Sequence, residues 1–174
     1  MKKDLLELLG YKNIKELKKG VIEEEKNAVE FYEFIKEYLK IDTKEDLILI
    51  KGKNELVDYL KVNMGFLKHE EFKIILLSAN NRLIYEESLF KGTIDRSVVY
   101  PRLIIERVLK YQAKGIIFAH NHPSGDLKPS KKDIEITLEM QEILDKVDIK
   151  LLDHVIVSDS NYFSFYENGL IEYF

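Results

Sequence analysis

Two histidines separated by one residue, and an aspartate farther along, are the residues of this chain best suited to hold a metal ion. His120 and His122 lie in the run AHNHPSGDLKPSKKD, which ends at Asp133. If strand geometry continues through His122, alternate side chains point to one side and both imidazoles face the same point. Two neutral imidazoles and one carboxylate are three protein ligands, the number that catalytic zinc sites use while a fourth position stays open for water. The spacing therefore predicts a metal site.

The same residues also suit purely structural roles. A His-x-His pair in a loop is commonly a pair of solvated or hydrogen-bonded side chains. Ser130 followed by Asp133 has the spacing of a capping box at a helix start, and an acid in a first helical turn is stabilised by the helix dipole. The two interpretations are compatible, because the first turn of a helix is a rigid place to hold a carboxylate.

Hydrolysis at such a site would also need a base. A bound metal lowers the pKa of water, and the released proton must be collected by a nearby group. Glu86 and Glu87, on an upstream segment that reads as a strand, are the candidates. Adjacent glutamates are commonly a solvated strand edge, and spacing alone does not select between the two.

Composition limits the classes of protein to which the chain can belong. Its 174 residues are 45% apolar and 33% charged, as in ordinary globular proteins. A net charge of −4 opposes general binding to phosphate backbones. The absence of cysteine excludes disulfides, thiolate ligands and a cysteine nucleophile. No apolar segment suits a membrane span or a secretion signal, so we expect a cytoplasmic protein.

The pattern from Asn54 onward alternates between helices and strands. After a helix that Asn54 caps, FKIILLS (72–78) and RLIYEESLF (82–90) read as two strands that pair antiparallel through an Asn-Asn turn. A helix, a short strand, a second helix and two further strands are then predicted over residues 100–115, 116–119, 131–147, 151–157 and 161–167. This alternation predicts an α/β fold.

The first fifty residues are charged and helical in pattern. Apolar residues recur at three- and four-residue steps along VIEEEKNAVEFYEFIKEYLK, and a shorter leucine-rich helix should end near Gly10. A charge-rich stretch from Ile41 to Lys53 follows. We therefore expect an N-terminal helical extension over residues 1–53 and a second domain over residues 54–174.

The histidine motif carries a family resemblance. The run HNHPSGDLKPSKKD resembles the His-x-His-Pro, loop, Ser-x-x-Asp pattern of the JAMM, or MPN-plus, metallopeptidases. The segments NNRLIYEESLFKGTI, VYPRLIIERVL, LLDHVIV and NYFSFYENGLI are similar to the RadC branch of that family, historically labelled DNA repair proteins. The resemblance extends from Asn54 to Phe174.

This resemblance implies the JAMM/MPN fold, a cytidine-deaminase-like α/β/α sandwich. It implies that His120, His122 and Asp133 bind zinc and that Ser130 stabilises the tetrahedral intermediate. The motif also expects a glutamate five residues before Gly92. That position makes Glu87 the base and puts its neighbour Glu86 on the opposite face of the strand.

The resemblance further implies a zinc-dependent hydrolase that cleaves a peptide or isopeptide amide in a peptide or protein substrate. The alternatives are a nucleic-acid-binding protein linked to DNA repair and a non-catalytic scaffold. RadC proteins commonly carry a helix-hairpin-helix region whose Gly-x-Gly hairpin residues 1–53 lack, so we expect no nucleic-acid partner. A zinc deaminase is excluded because its Pro-Cys-x-x-Cys ligands require cysteine.

Other polar residues receive weaker assignments. His154 reads as a partly buried strand residue that at most supports a ligand, and His69 reads as a surface residue. The lysines Lys128, Lys131 and Lys132 are solvated or steer an acidic group toward the motif. The N-terminal helices could pack on their own domain or join two copies of the chain.

Overall fold

A mixed sheet forms the centre of the larger part of the chain. In the computed structural model its strands are β1 (Glu71–Leu77), β2 (Leu83–Lys91), β3 (Gly115–Asn121), β4 (Lys150–Val157) and β5 (Tyr162–Ser164). Their order across the sheet is β2-β1-β3-β4-β5. The β3–β4 pair is parallel, and every other neighbouring pair is antiparallel.

Helices account for most of the remaining described chain. The structure describes residues 9–12, 14–41, 50, 52–91 and 101–172. Within these ranges the helices are α1 (Ile14–Ile22), α2 (Lys26–Ile41), α3 (Lys53–Met64), α4 (Pro101–Lys110) and α5 (Lys131–Asp145). None of them is both long enough and apolar enough to span a lipid bilayer.

Apolar side chains pack on both faces of the sheet. Neighbouring residues of β1 point to opposite sides, so Ile74 joins one apolar cluster and Ile75 joins another. The first cluster includes residues of α4 and α5, and the second includes residues of α3. Helices α3, α4 and α5 are therefore held to the sheet by burial of apolar surface.

The parallel pair β3 and β4 fixes where β3 and α5 meet. Parallel neighbours require a crossover connection, and α5 supplies it. The end of β3 and the start of α5 are joined by the loop of residues 122–130. The histidine motif occupies the end of that strand, the loop and the first turn of that helix.

The α/β class predicted from the sequence is confirmed. The β1–β2 pair is antiparallel, and Asn81 in its turn has a positive φ of 56°, a conformation that asparagine tolerates. The final strand is shorter than predicted. β5 ends at Ser164, where the chain turns and the N–H of Phe165 donates to the carbonyl of His154.

Two compact units divide the chain, residues 1–46 and 47–174. In the first unit the amphipathic pattern predicted within residues 21–40 forms α2, which begins at Lys26. Residues 21 and 22 belong instead to α1, and a turn with Glu24 at φ 61° separates the two helices. The leucine-rich helix predicted before Gly10 lies mostly outside the described residues. Residues 42–49 and 51 also lie outside them, so the boundary predicted after residue 53 stays a prediction.

We predict that Ile74→Ala lowers the free energy of unfolding by about 2–5 kcal/mol, because it leaves a cavity in a fully buried part of the core. Urea denaturation would measure the change. Leu138→Ala is the control, since Leu138 is 46% exposed and its truncation should cost about 0.5 kcal/mol or less. Equal losses in both variants would contradict this description of the core.

Candidate metal centre

His120 lies near the end of β3, the central strand of the sheet. It is 1% exposed, and its backbone pairs with Phe72 of β1 and Ile156 of β4. The ring of Phe72 stacks on its imidazole with ring centres 6.2 Å apart. Burial on this central strand removes most of the conformational freedom of the imidazole.

His122 lies one residue beyond the end of β3. Its backbone N–H still donates to the carbonyl of Val157, and its own carbonyl accepts from Gly125 in a turn where Gly125 has a φ of 80°. Its Nδ1 contacts the carbonyl oxygen of Asp126. A carbonyl can only accept, so this Nδ1 carries a proton, and the tautomer with that proton alone presents a lone pair at Nε2.

Asp133 is held by the predicted capping box at the start of α5. Ser130 Oγ accepts from the Asp133 N–H at 3.1 Å, and Asp133 Oδ2 accepts from the Ser130 N–H at 2.7 Å. The second carboxylate oxygen, Oδ1, lies 3.7 Å from His120 Nε2. The structural and metal-binding interpretations of this residue therefore describe the same arrangement.

The three predicted ligands come together. His120 Nε2 lies 3.0 Å from His122 Nε2, and one ligand atom from each of His120, His122 and Asp133 lies within 4.8 Å of the other two. Ligand atoms on a tetrahedral zinc ion are about 3.3 Å apart, given metal–ligand bonds of about 2.0–2.2 Å. These residues fit an ion of that size and could hold one.

A second buried histidine lies behind His120. His154 Nε2 is 2.8 Å from His120 Nδ1, and His154 Nδ1 is 2.6 Å from the hydroxyl of Thr137. His154 and Thr137 have no exposed surface. The sequence predicted His154 as a partly buried support for a ligand; it is fully buried, and Thr137 was not identified. Thr137 follows Asp133 by one helical turn, and this spacing is the signal that could have pointed to it.

Burial favours the neutral form of both inner histidines. Desolvation lowers the pKa of His120 to about 4, although the carboxylate of Asp133 opposes this shift. Desolvation likewise lowers the pKa of His154 well below its ordinary value. Neutral imidazoles can donate lone pairs to a metal ion, whereas protonated ones cannot.

Glu87 is on the same face of the sheet as His120 but has other partners. In the register, Glu87 lies opposite Ile74 and His120 lies opposite Phe72, two residues away along β1. Its carboxylate accepts a hydrogen bond from Arg107 Nε at 2.7 Å. The Arg107 guanidinium is the main reason that the pKa of Glu87 is lowered.

The two candidate bases differ in the face that they occupy. Tyr85 also donates to Glu87, whereas Glu86 accepts from Tyr59 of α3 on the other side of the sheet. Among the described residues, the group close enough to share an ion includes neither glutamate. The structure therefore separates Glu86 from the histidine face, and the role of Glu87 stays a prediction.

The remaining sequence assignments concern the surface. His69 is exposed, as predicted, and contributes only its carbonyl, which accepts from Asn121. Lys128, Lys131 and Lys132 are exposed around the start of α5. They lie beside the motif in sequence and are not members of the candidate ligand set.

The fold and the site define an α/β domain with two histidines and one aspartate positioned to hold a metal ion. Residues 50–170 match the family described as the RadC-like JAB domain. This match covers more than half of the chain and agrees with the resemblance of the histidine motif. The protein belongs to the RadC-like JAB domain family.

Curated relatives support this membership. The chain is 40% identical to UPF0758 protein FN0909 of Fusobacterium nucleatum over 84% of the chain and 67% of that protein. It is 46% identical to UPF0758 protein YeeS of Escherichia coli over 66% of the chain and 77% of that protein. For UPF0758 protein PSHAa2643 of Pseudoalteromonas translucida the identity is 43%, and the match spans 62% of that protein's length.

We predict that the metal-free protein loses stability as the pH falls from about 6.5 toward about 4. The unfolded chain takes up protons at its histidines in this range, whereas buried His120 and His154 resist protonation. The free energy of unfolding should fall by at most about 1.4 kcal/mol per pH unit for each such histidine. Urea denaturation at several pH values, with a chelator present, would measure it.

Matched variants identify the groups responsible. His69→Gln removes an exposed histidine and is the matched control. His120→Gln removes a buried one and should make the dependence shallower. An identical pH dependence in His120→Gln and the unaltered protein would show that His120 does not contribute.

Proposed function

We propose that this protein is a zinc-dependent hydrolase that cleaves a peptide or isopeptide amide bond. The observation that carries the proposal is that one ligand atom from each of His120, His122 and Asp133 lies within 4.8 Å of the other two. His120 Nε2 is 3.0 Å from His122 Nε2 and 3.7 Å from Asp133 Oδ1. Two neutral imidazoles and one carboxylate leave a fourth coordination position open, the arrangement typical of catalytic zinc. The RadC-like JAB family membership supports the same conclusion.

The metal would supply Lewis acidity, which polarises a carbonyl and lowers the pKa of water. The chain's own residues would hold the ion and control the proton. His120 and Asp133 are fixed by burial and by the capping box, so their ligand atoms need little reorganisation. His122 is only partly buried, so we propose that the open coordination position lies on the side of its loop.

Glu87 is the proposed base. It would accept a proton from water and return it to the amine that leaves after cleavage. Arg107 keeps this carboxylate ionised, which is the form that a base requires. The same contact stabilises the charged form and so weakens the base, and we propose that Glu87 turns from Arg107 when substrate occupies the site.

Ser130 is proposed to hydrogen-bond the developing oxyanion. Its hydroxyl oxygen accepts from the Asp133 N–H, so the hydroxyl proton is directed away from the helix and can be donated elsewhere. The exposed lysines Lys128, Lys131 and Lys132 give positive charge to the loop before α5 and to the first turn of that helix. We propose that they favour a substrate with an acidic group or a C-terminal carboxylate near the bond that is cleaved.

The proposal also includes the fold type, the cellular location, the association of copies and the class of partner. We infer the cytidine-deaminase-like α/β/α sandwich from the packing of helices on both faces of the sheet. We also propose a cytoplasmic protein whose N-terminal helices could join two copies of the chain. Its net charge of −4 argues against nucleic acid as the partner.

We predict that the purified protein binds about one zinc ion per chain and that His122→Ala abolishes this binding, because two protein ligands hold zinc weakly. Metal analysis by mass spectrometry after dialysis would measure the content. His69→Ala, at an exposed position, is the control and should retain the metal. Unchanged zinc content in His122→Ala would contradict the assigned ligand set.

We predict that Glu87→Gln keeps its zinc and lowers the rate of peptide hydrolysis about 100- to 10,000-fold, the contribution usual for a general base. Cleavage of a peptide library, followed by mass spectrometry of the products, would measure the rate. Glutamine keeps the shape of the side chain and can still accept from Arg107.

Glu86→Gln is the matched control for this experiment. Glu86 lies on the other face of β2, where it contacts Tyr59 and Lys73, so its replacement should leave hydrolysis unchanged. Full activity in Glu87→Gln would rule out Glu87 as the base. Loss of activity in both variants would point to a structural effect on β2.

A further inference from the structure

Thr137 and His154 form a chain of hydrogen bonds behind His120. Thr137 Oγ1 is 2.6 Å from His154 Nδ1, and His154 Nε2 is 2.8 Å from His120 Nδ1. Both side chains are fully buried. The direction of each hydrogen bond follows by counting protons from the buried contact of Thr137 with the carbonyl of Asp133.

The derivation starts at the threonine. The Thr137 hydroxyl donates to the carbonyl oxygen of Asp133, a group that can only accept. A hydroxyl has one proton, so Thr137 Oγ1 accepts from His154 Nδ1–H. A neutral imidazole has one N–H, so His154 Nε2 accepts from His120 Nδ1–H. The lone pair of His120 is then at Nε2, 3.7 Å from Asp133 Oδ1 and 3.0 Å from His122 Nε2. In this arrangement no proton lies between the two Nε2 atoms, and a metal ion bound to both would stabilise it.

We infer that Thr137 and His154 are positioning residues that select the tautomer of His120 able to bind a metal through Nε2. This inference rests on the proposed metal site and is independent of the bond that is cleaved. The opposite tautomer would put a proton on His120 Nε2, where the ion must bind. It would also leave Thr137 Oγ1 and the carbonyl of Asp133 in contact without a shared proton.

The aromatic rings around His154 increase the free-energy difference between its two tautomers. Its imidazole stacks on Phe165 with ring centres 4.5 Å apart, and the rings of Phe72 and Phe118 lie against it at 5.5 and 5.8 Å. An N–H left unpaired in such apolar surroundings carries the full cost of desolvation. The Thr137 hydroxyl is therefore the acceptor that allows His154 to keep its proton on Nδ1.

The helix α5 connects this series of hydrogen bonds to Asp133, the third candidate ligand. Asp133 and Thr137 are four residues apart, so they lie on the same face of the helix. One turn of α5 thus holds a metal-binding carboxylate and the acceptor that orients a metal-binding imidazole. The hydroxyl of residue 137 becomes a determinant of metal affinity without touching the metal.

The variants Thr137→Val and Thr137→Ser test the inference in the full-length protein. Valine has nearly the shape of threonine but no hydroxyl, whereas serine keeps the hydroxyl. Zinc affinity, measured by competition with a chromophoric chelator, should fall about 10- to 100-fold in Thr137→Val and stay within about threefold in Thr137→Ser. Circular dichroism and urea denaturation would show that both variants fold.

A spectroscopic measurement on the unaltered protein needs no variant. In zinc-loaded protein, ¹⁵N chemical shifts of the histidine rings should show the proton on Nδ1 of both His120 and His154. A proton on His154 Nε2, or equal zinc affinity in Thr137→Val and the unaltered protein, would overturn the inference and leave the metal site in place. Failure of the unaltered protein to bind zinc would overturn the proposed metal site and the inference together.

Discussion

The two oxygens of the Asp133 carboxylate have different partners, and the candidate metal centre depends on that division. One oxygen accepts the backbone N–H of Ser130 and completes the cap of α5, so the other is left to face His120. The position of the cap depends in turn on the packing of α5, whose Met140 and Leu144 are buried in the core. Burial of apolar surface about two and three turns along the helix therefore determines where the third candidate ligand lies.

Features encoded by neighbouring residues were predictable from the sequence. His120 and His122 were expected to face one point because strand geometry has a period of two, and their Nε2 atoms are 3.0 Å apart. The capping box followed from the spacing of Ser130 and Asp133. The same period of two predicted that Glu86 and Glu87 would point to opposite faces, and their partners lie on opposite sides of the sheet.

Features that depend on distant contacts were not predictable. Nothing near His154 in sequence indicates that β4 will place it against His120, since that contact requires the parallel pairing of β3 with β4. The ion pair of Glu87 with Arg107 joins β2 to α4 and has no local signal. In the N-terminal unit, the run of glutamates near Glu24 reads as helical, yet a backbone with positive φ interrupts it.

The central position of β3 has a consequence for how an ion would enter and leave. The backbone of His120 is paired on both sides, so this ligand moves only if the sheet opens. His122 lies past the strand end, in a turn closed at Gly125, and can swing with the loop. Exchange of the ion would thus begin from the loop side, and its rate would follow the local opening of that turn rather than unfolding of the domain.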